Sequence, residues 1–129
     1  MSTLAVLRDF KTNMIAFLDE LIEQFPEEAP FVIARIFIKD RIPAETVMTN
    51  FIREVMPYKQ YIIRRDDTFF LNHDLPGVTQ HDQGATLSHL RTIWRSSRLD
   101  TEDKEIIWQW ISLFIKLAEK YQIILRSST

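Results

Sequence analysis

Residues 100–121, "DTEDKEIIWQWISLFIKLAEKY", are apolar on more than one side of any helix they form. Ile107, Trp110, Ile111, Phe114, Leu117, Ala118 and Tyr121 recur at three- and four-residue steps and trace a broad stripe. Glu105, Gln109, Ser112, Lys116 and Glu119 trace the polar one. Trp108 and Ile115, seven residues apart, fall on the border beside Ser112, and Ile106 and Leu113 make a flank on the other border. So wide an apolar surface has to be covered from several directions, which predicts a central helix in a helical bundle. Two readings of the second flank stay open. Either the chain's own helices cover Trp108 and Ile115, or these two side chains remain partly exposed and anchor another chain, a second copy or a different partner.

The rest of the chain supplies helices to do the covering. Leu4, Leu7, Phe10, Met14, Phe17, Leu18, Leu21 and Phe25 form one helical stripe, and Pro26 ends it. "PEEAPFVIARIFIKD" predicts a short second helix with Pro30 in its first turn and Glu27 and Glu28 at its positive start. Phe31 to Ile38 is β-branched enough for a strand, but no partner strand is visible nearby. A third helix lies between Pro43 and Pro57, burying Val47, Phe51 and Val55 with Met48 and Ile52 beside them. Pro57 opens a fourth, on which Tyr58, Tyr61, Ile62 and Phe69 pack inward. Periodicity vanishes over residues 72–85, which hold both glycines, one proline and two histidines, and this predicts an irregular loop. "TLSHLRTIWRSSR" follows as a short helix on Leu87, Leu90, Ile93 and Trp94, and the last helix opens at Asp100 or Thr101 and runs to about Leu125. The expected fold is all-α, a compact single domain of five to six helices over residues 1–129, with residues 126–129 frayed.

Composition agrees with a packed domain. Of 129 residues 46 % are hydrophobic, including nine Phe, three Trp and three Tyr, and 26 % are charged. Only two glycines are present, which speaks against a turn-rich β fold. With no cysteine, disulfides and thiolate-bound zinc are excluded. No apolar run approaches the ~20 residues of a membrane crossing, and the start lacks the pattern of a secretory signal, so an intracellular, non-secreted protein is expected. The net charge of −2 offers nucleic acid no general attraction. Residues 53–99 are nevertheless mildly basic, with seven basic and five acidic side chains, between two mildly acidic ends.

The sequence carries no recognisable catalytic constellation. His73, His81 and His89 are spaced by eight, which fixes no metal geometry, and they read as surface histidines. No serine sits in a glycine-flanked elbow, and no phosphate-cradling loop or paired-carboxylate motif is present. No catalytic residue, metal or cofactor is therefore assigned. Arg91, Arg95 and Arg98, four and three residues apart, would form a basic stripe on a continuing helix. It could flank a protein contact, meet the acidic first helix at Asp19, Glu20 and Glu23, or, with Arg64 and Arg65, touch phosphates. Arg64–Arg65 followed by Asp66–Asp67 also fits a solvated helix end.

Several pieces resemble a known group when taken together. They are Phe25–Pro26, Arg65 to Leu71 in "RDDTFFL", Ile93–Trp94 before an acidic cap, and "KEIIWQW" at Lys104 to Trp110. The pattern resembles small all-helical proteins encoded by large nucleocytoplasmic DNA viruses of eukaryotes and touches roughly two thirds of the chain. The resemblance implies an all-α fold and a viral origin, in host cytoplasm or virion, and no enzymatic activity. The sequence differs most from that group over residues 74–86. The functional expectation is a non-enzymatic protein that binds protein, as a virion component or an adaptor in infected cells. Its contacts would be Trp108, Ile115, Arg91, Arg95 and Arg98. The alternative is a nucleic-acid-associated protein using Arg64, Arg65 and the arginine stripe, and a third reading places an enzyme site near His73 and His81.

Overall fold

The structure, a computed structural model, describes residues 2–67, 93–94 and 99–127. Helix α1 spans Thr3–Gln24, α2 Ala29–Ile36, α3 Ala44–Glu54, α4 Lys59–Ile63 and α5 Thr101–Ser127. All-α is thus the class. Among the described residues there are four helices of eight or more residues plus the five-residue α4, where five to six helices were expected. Ile93 and Trp94 are helical, but the rest of the helix expected over residues 86–98, the loop at 72–85 and Phe69 lie outside the described residues.

Local chemistry sets most of the boundaries. Ser2 caps α1, its Oγ accepting the Ala5 N–H at 3.1 Å, and Pro26 follows the last turn. Pro30 occupies the first turn of α2, where no N–H is needed. That helix continues into a π-helical turn, Phe37–Arg41, closed by the Ile42 N–H donating to Phe37 O at 2.8 Å. Pro43 precedes α3, and Pro57 sits in a 3₁₀ turn, Met56–Tyr58, that leads into α4. Asp100 and Asp103 cap α5 reciprocally. The Asp103 N–H donates to Asp100 Oδ1 at 2.8 Å, and the Asp100 N–H to Asp103 Oδ2 at 3.3 Å.

Helix α4 ends at Ile63, short of Phe69 on the expected fourth helix, and the reason is a backbone reversal at Arg65. Its φ is 56°, the left-handed region. The Asp66 N–H donates to Tyr61 O at 2.8 Å and the Arg65 N–H to Ile62 O at 3.1 Å, the two bonds of a Schellman stop. Glycine usually fills that position, because a Cβ there costs about 1–2 kcal/mol. Arg65→Gly should therefore melt at a higher temperature than Arg65→Ala. Both lose the same side-chain bonds, but only glycine relieves the backbone, and its greater unfolded-state entropy offsets that relief only in part. An equal or lower melting temperature for the glycine variant would refute this account.

The two long helices, α1 and α5, run antiparallel and hold the centre. Phe10 and Phe17 of α1 meet Phe114 of α5 at ring separations of 5.6 and 5.7 Å, and Phe51 of α3 closes the cluster at 5.3 Å from Phe10 and 6.1 Å from Phe114. Trp110 joins it from the side, 6.0 Å from Phe114, with its Nε1–H donating to Glu20 of α1 at 2.7 Å. The tilted and edge-on contacts among the four Phe rings are ones the ring quadrupole favours. On α1, Val6 is buried and Leu4 is exposed, the reverse of the sequence expectation for the first turn. On α3, Val47 and Met48 are buried, as is Val55 just after it, while Phe51 and Ile52 are only partly so.

Candidate functional site

The second flank of α5 is covered by the chain itself. Trp108 and Ile115 are each 3 % exposed, so the expectation that they stand at the surface as an anchor is overturned. Trp94 packs edge-on against Trp108 at 5.2 Å, and Lys104 Nζ sits 5.4 Å from the Trp94 ring on its other contact. Helix α4 runs antiparallel along the same side of α5. Arg65 at its end reaches Glu105 and Ser112, and Lys59 at its start forms an ion pair with Glu119. In the sequence pattern Glu105, Ser112 and Glu119 belong to the polar stripe. Instead they fasten α4 in place, and the buried arc of α5 shifts to Ile107, Trp108, Ile111, Phe114, Ile115, Ala118 and Tyr121. Trp110 and Leu117 become half-buried.

Arg65 is engaged throughout its guanidinium. Nε and Nη2 donate to the two oxygens of Glu105 at 3.2 and 3.1 Å, and Nη1 donates to Ser112 Oγ at 3.3 Å and Ile62 O at 3.4 Å. This side-on fork is the strongest geometry available to arginine and carboxylate. The hydrogen bonds from Arg65 are the main reason the Glu105 carboxyl lies below its usual range, with Gln109 adding to the effect against some desolvation. A lowered folded-state value means that the stabilisation is present above the ordinary carboxylate pKa. It is lost as pH falls through the folded one. The melting-temperature gap between wild type and Glu105→Gln should thus close on acidification below the ordinary carboxylate range. A gap that stays constant into strong acid would show that the pair carries no such linkage. Arg64, the other arginine of the pair, is exposed and lies 5.6 Å from the Tyr61 ring. Arg91, Arg95, Arg98, His73, His81 and His89 fall outside the described residues.

Chemical sites are sparse where the structure is described. No group of three or more His, Asp or Glu is placed to hold a metal there. Glu54, at the end of α3, is buried but has Arg53 Nη2 at 3.3 Å. A cleft between α1 and α5, lined by Phe17, Glu20, Leu21, Asp103, Ile106 and Trp110 among others, has a volume of ≈ 20 Å³. That holds a water molecule and is far below the several hundred Å³ of a small-molecule site. No helix among the described residues is long and apolar enough to cross a membrane.

The feature that stands out is on α2. Phe31, Ala34 and Ile38 turn into the core, and Arg35 pairs with Asp19 of α1. That leaves Val32, Ile33 and Ile36 side by side on the outer face, 38, 44 and 46 % exposed. Sequence reasoning missed this surface, although a signal was present. "FVIARIFI" is apolar at seven of eight positions, more than one short helix can bury against a single neighbour. Other large exposed apolar side chains are Leu4, Ile63, Ile106, Ile123 and Leu125. Comparison with protein-family models, with curated proteins and with solved structures finds no match.

Proposed function

We propose that this chain is a non-enzymatic helical protein that works by binding protein, and that the outer face of α2 is its contact surface. The observation that carries the reading is the trio Val32, Ile33 and Ile36, three β-branched side chains exposed together on a helix whose other side is locked into the core. Single exposed apolar residues are ordinary, but a contiguous group on a rigid element is the usual mark of a contact surface. β-Branched side chains also have little rotamer freedom to lose on docking. The resemblance to proteins of large DNA viruses supports a setting for this role, as a component of the particle or an adaptor in infected cells.

The test is chemical cross-linking of the full-length protein in the cells that make it, wild type beside Ile33→Glu, Ile36→Glu. Both substitutions lie at exposed positions, so the melting temperature should hold to within the small range of surface changes. Cross-linked species present for wild type and lost for the variant are expected. An identical set of adducts for both proteins would refute α2 as the contact surface.

A further inference from the structure

We infer that the partner of α2 is a second copy of this chain, docked on the same helix in the opposite direction. This rests on the reading of α2 as a contact surface and adds the identity of what covers it. A two-fold interface places one patch against itself, so the patch must be self-complementary. The segment that carries this face meets that condition in the order of its charges. Its middle is apolar, with Val32, Ile33 and Ile36. Its start carries the acids Glu27 and Glu28, and the π-helical turn at its far end carries Lys39, Asp40 and Arg41, all three exposed. The two ends therefore differ in sign, net negative at the start and net positive at the finish.

Antiparallel docking sets the acidic start of one copy against the basic finish of the other, twice by symmetry. It also aligns the helix dipoles favourably, the positive N-terminal end of each lying near the negative C-terminal end of its neighbour. Parallel docking would set Glu27 and Glu28 against the same acids of the second copy and is opposed by both terms. Neither Lys39 nor Arg41 has an ion-pair partner within the chain among the described residues. A carboxylate can accept several donors at once, so the acids at the start of α2 can take a base from the second copy whatever else they contact. One short helix face is small beside the ~800 Å² per partner of a standard interface. The dimer is accordingly a reversible one, populated at high concentration or when many copies are held close together.

The experiment is sedimentation velocity on the full-length protein from low-micromolar to near-millimolar concentration. Wild type should pass from monomer to dimer across the series, and raising the salt from 0.1 to 1 M should weaken it, since the screening length shrinks from about 10 to about 3 Å. Ile33→Glu, Ile36→Glu should stay monomeric throughout. Glu27→Lys, Glu28→Lys and Lys39→Glu, Arg41→Glu should each weaken the dimer, and all four charge reversals in one chain should restore it. Parallel docking predicts no such rescue. A wild type that is monomeric throughout, a dimer that survives the isoleucine substitutions, or a fourfold variant that fails to recover would each overturn the inference. If wild type is monomeric yet the isoleucine variant still loses its cross-linked species in cells, the self-docking idea falls while α2 remains the contact surface for a different protein.

Discussion

Phe114→Ala is expected to cost about 3–5 kcal/mol of stability, the usual price of deleting a buried aromatic ring. Phe114 is 1 % exposed and touches Phe10, Phe17, Phe51 and Trp110, so its ring joins three helices at one point. Alanine would leave a cavity lined by four other rings on three rigid backbones, and such a site collapses poorly. A domain has about 5–15 kcal/mol in total, so one substitution removes a large fraction. In a thermal melt followed by circular dichroism, the midpoint should fall by about 10–20 °C. Phe114→Leu, which keeps much of the volume, should fall by clearly less. A Phe114→Ala midpoint within a few degrees of wild type would mean that the aromatic cluster is not the centre of this core.

The second large effect is expected for Trp108→Ala combined with Ile115→Ala. Each side chain is buried, and the single substitutions should cost about 3–5 and about 2–5 kcal/mol. The tryptophan also loses its edge-on partner Trp94. Together these losses approach the whole stability of a domain, and the double variant should be unfolded or close to it at room temperature. Light scattering alone would misread that result, because an unfolded chain changes its apparent size for reasons unrelated to assembly. Circular dichroism has to accompany it. A double variant with unchanged helicity and an unchanged melt would contradict the packing described for this edge of α5. Self-association is therefore better probed on α2, where substitutions reach solvent and leave the core intact.

The difference between these two surfaces marks where sequence reasoning stops. Helix period, caps and breakers are local, and they located the helices well. Pro26, Pro43 and Pro57 fall where elements stop or start, and the acidic start of α5 is a cap because Asp100 and Asp103 lie three residues apart. The core-facing residues Phe10, Phe17, Leu18, Leu21, Ile107, Ile111, Phe114, Ala118 and Tyr121 were readable for the same reason, since a 3.6-residue period needs no knowledge of neighbours.

The border positions were not. Trp108 and Ile115 lie between the stripes, and whether such a residue is core or surface depends on where the next helix runs. That is settled by Trp94, which packs on Trp108, and by α4, whose Arg65 and Lys59 bind Glu105 and Glu119, residues that in isolation look like an ordinary solvent face. At the end of α4 the charged run Arg64 to Asp67 fits a helix end, but the left-handed backbone at Arg65 was hidden, because no glycine announces it. On α2 the ambiguity ran the other way. Its residues are apolar almost all round, and only the packing of Phe31, Ala34 and Ile38 against the core decides that Val32, Ile33 and Ile36 are the ones left outside. The sequence by itself determined that the chain is helical and which side chains at the centres of the apolar stripes are buried. The tertiary structure alone decided which apolar face goes uncovered, because that choice depends on contacts between segments far apart in the chain.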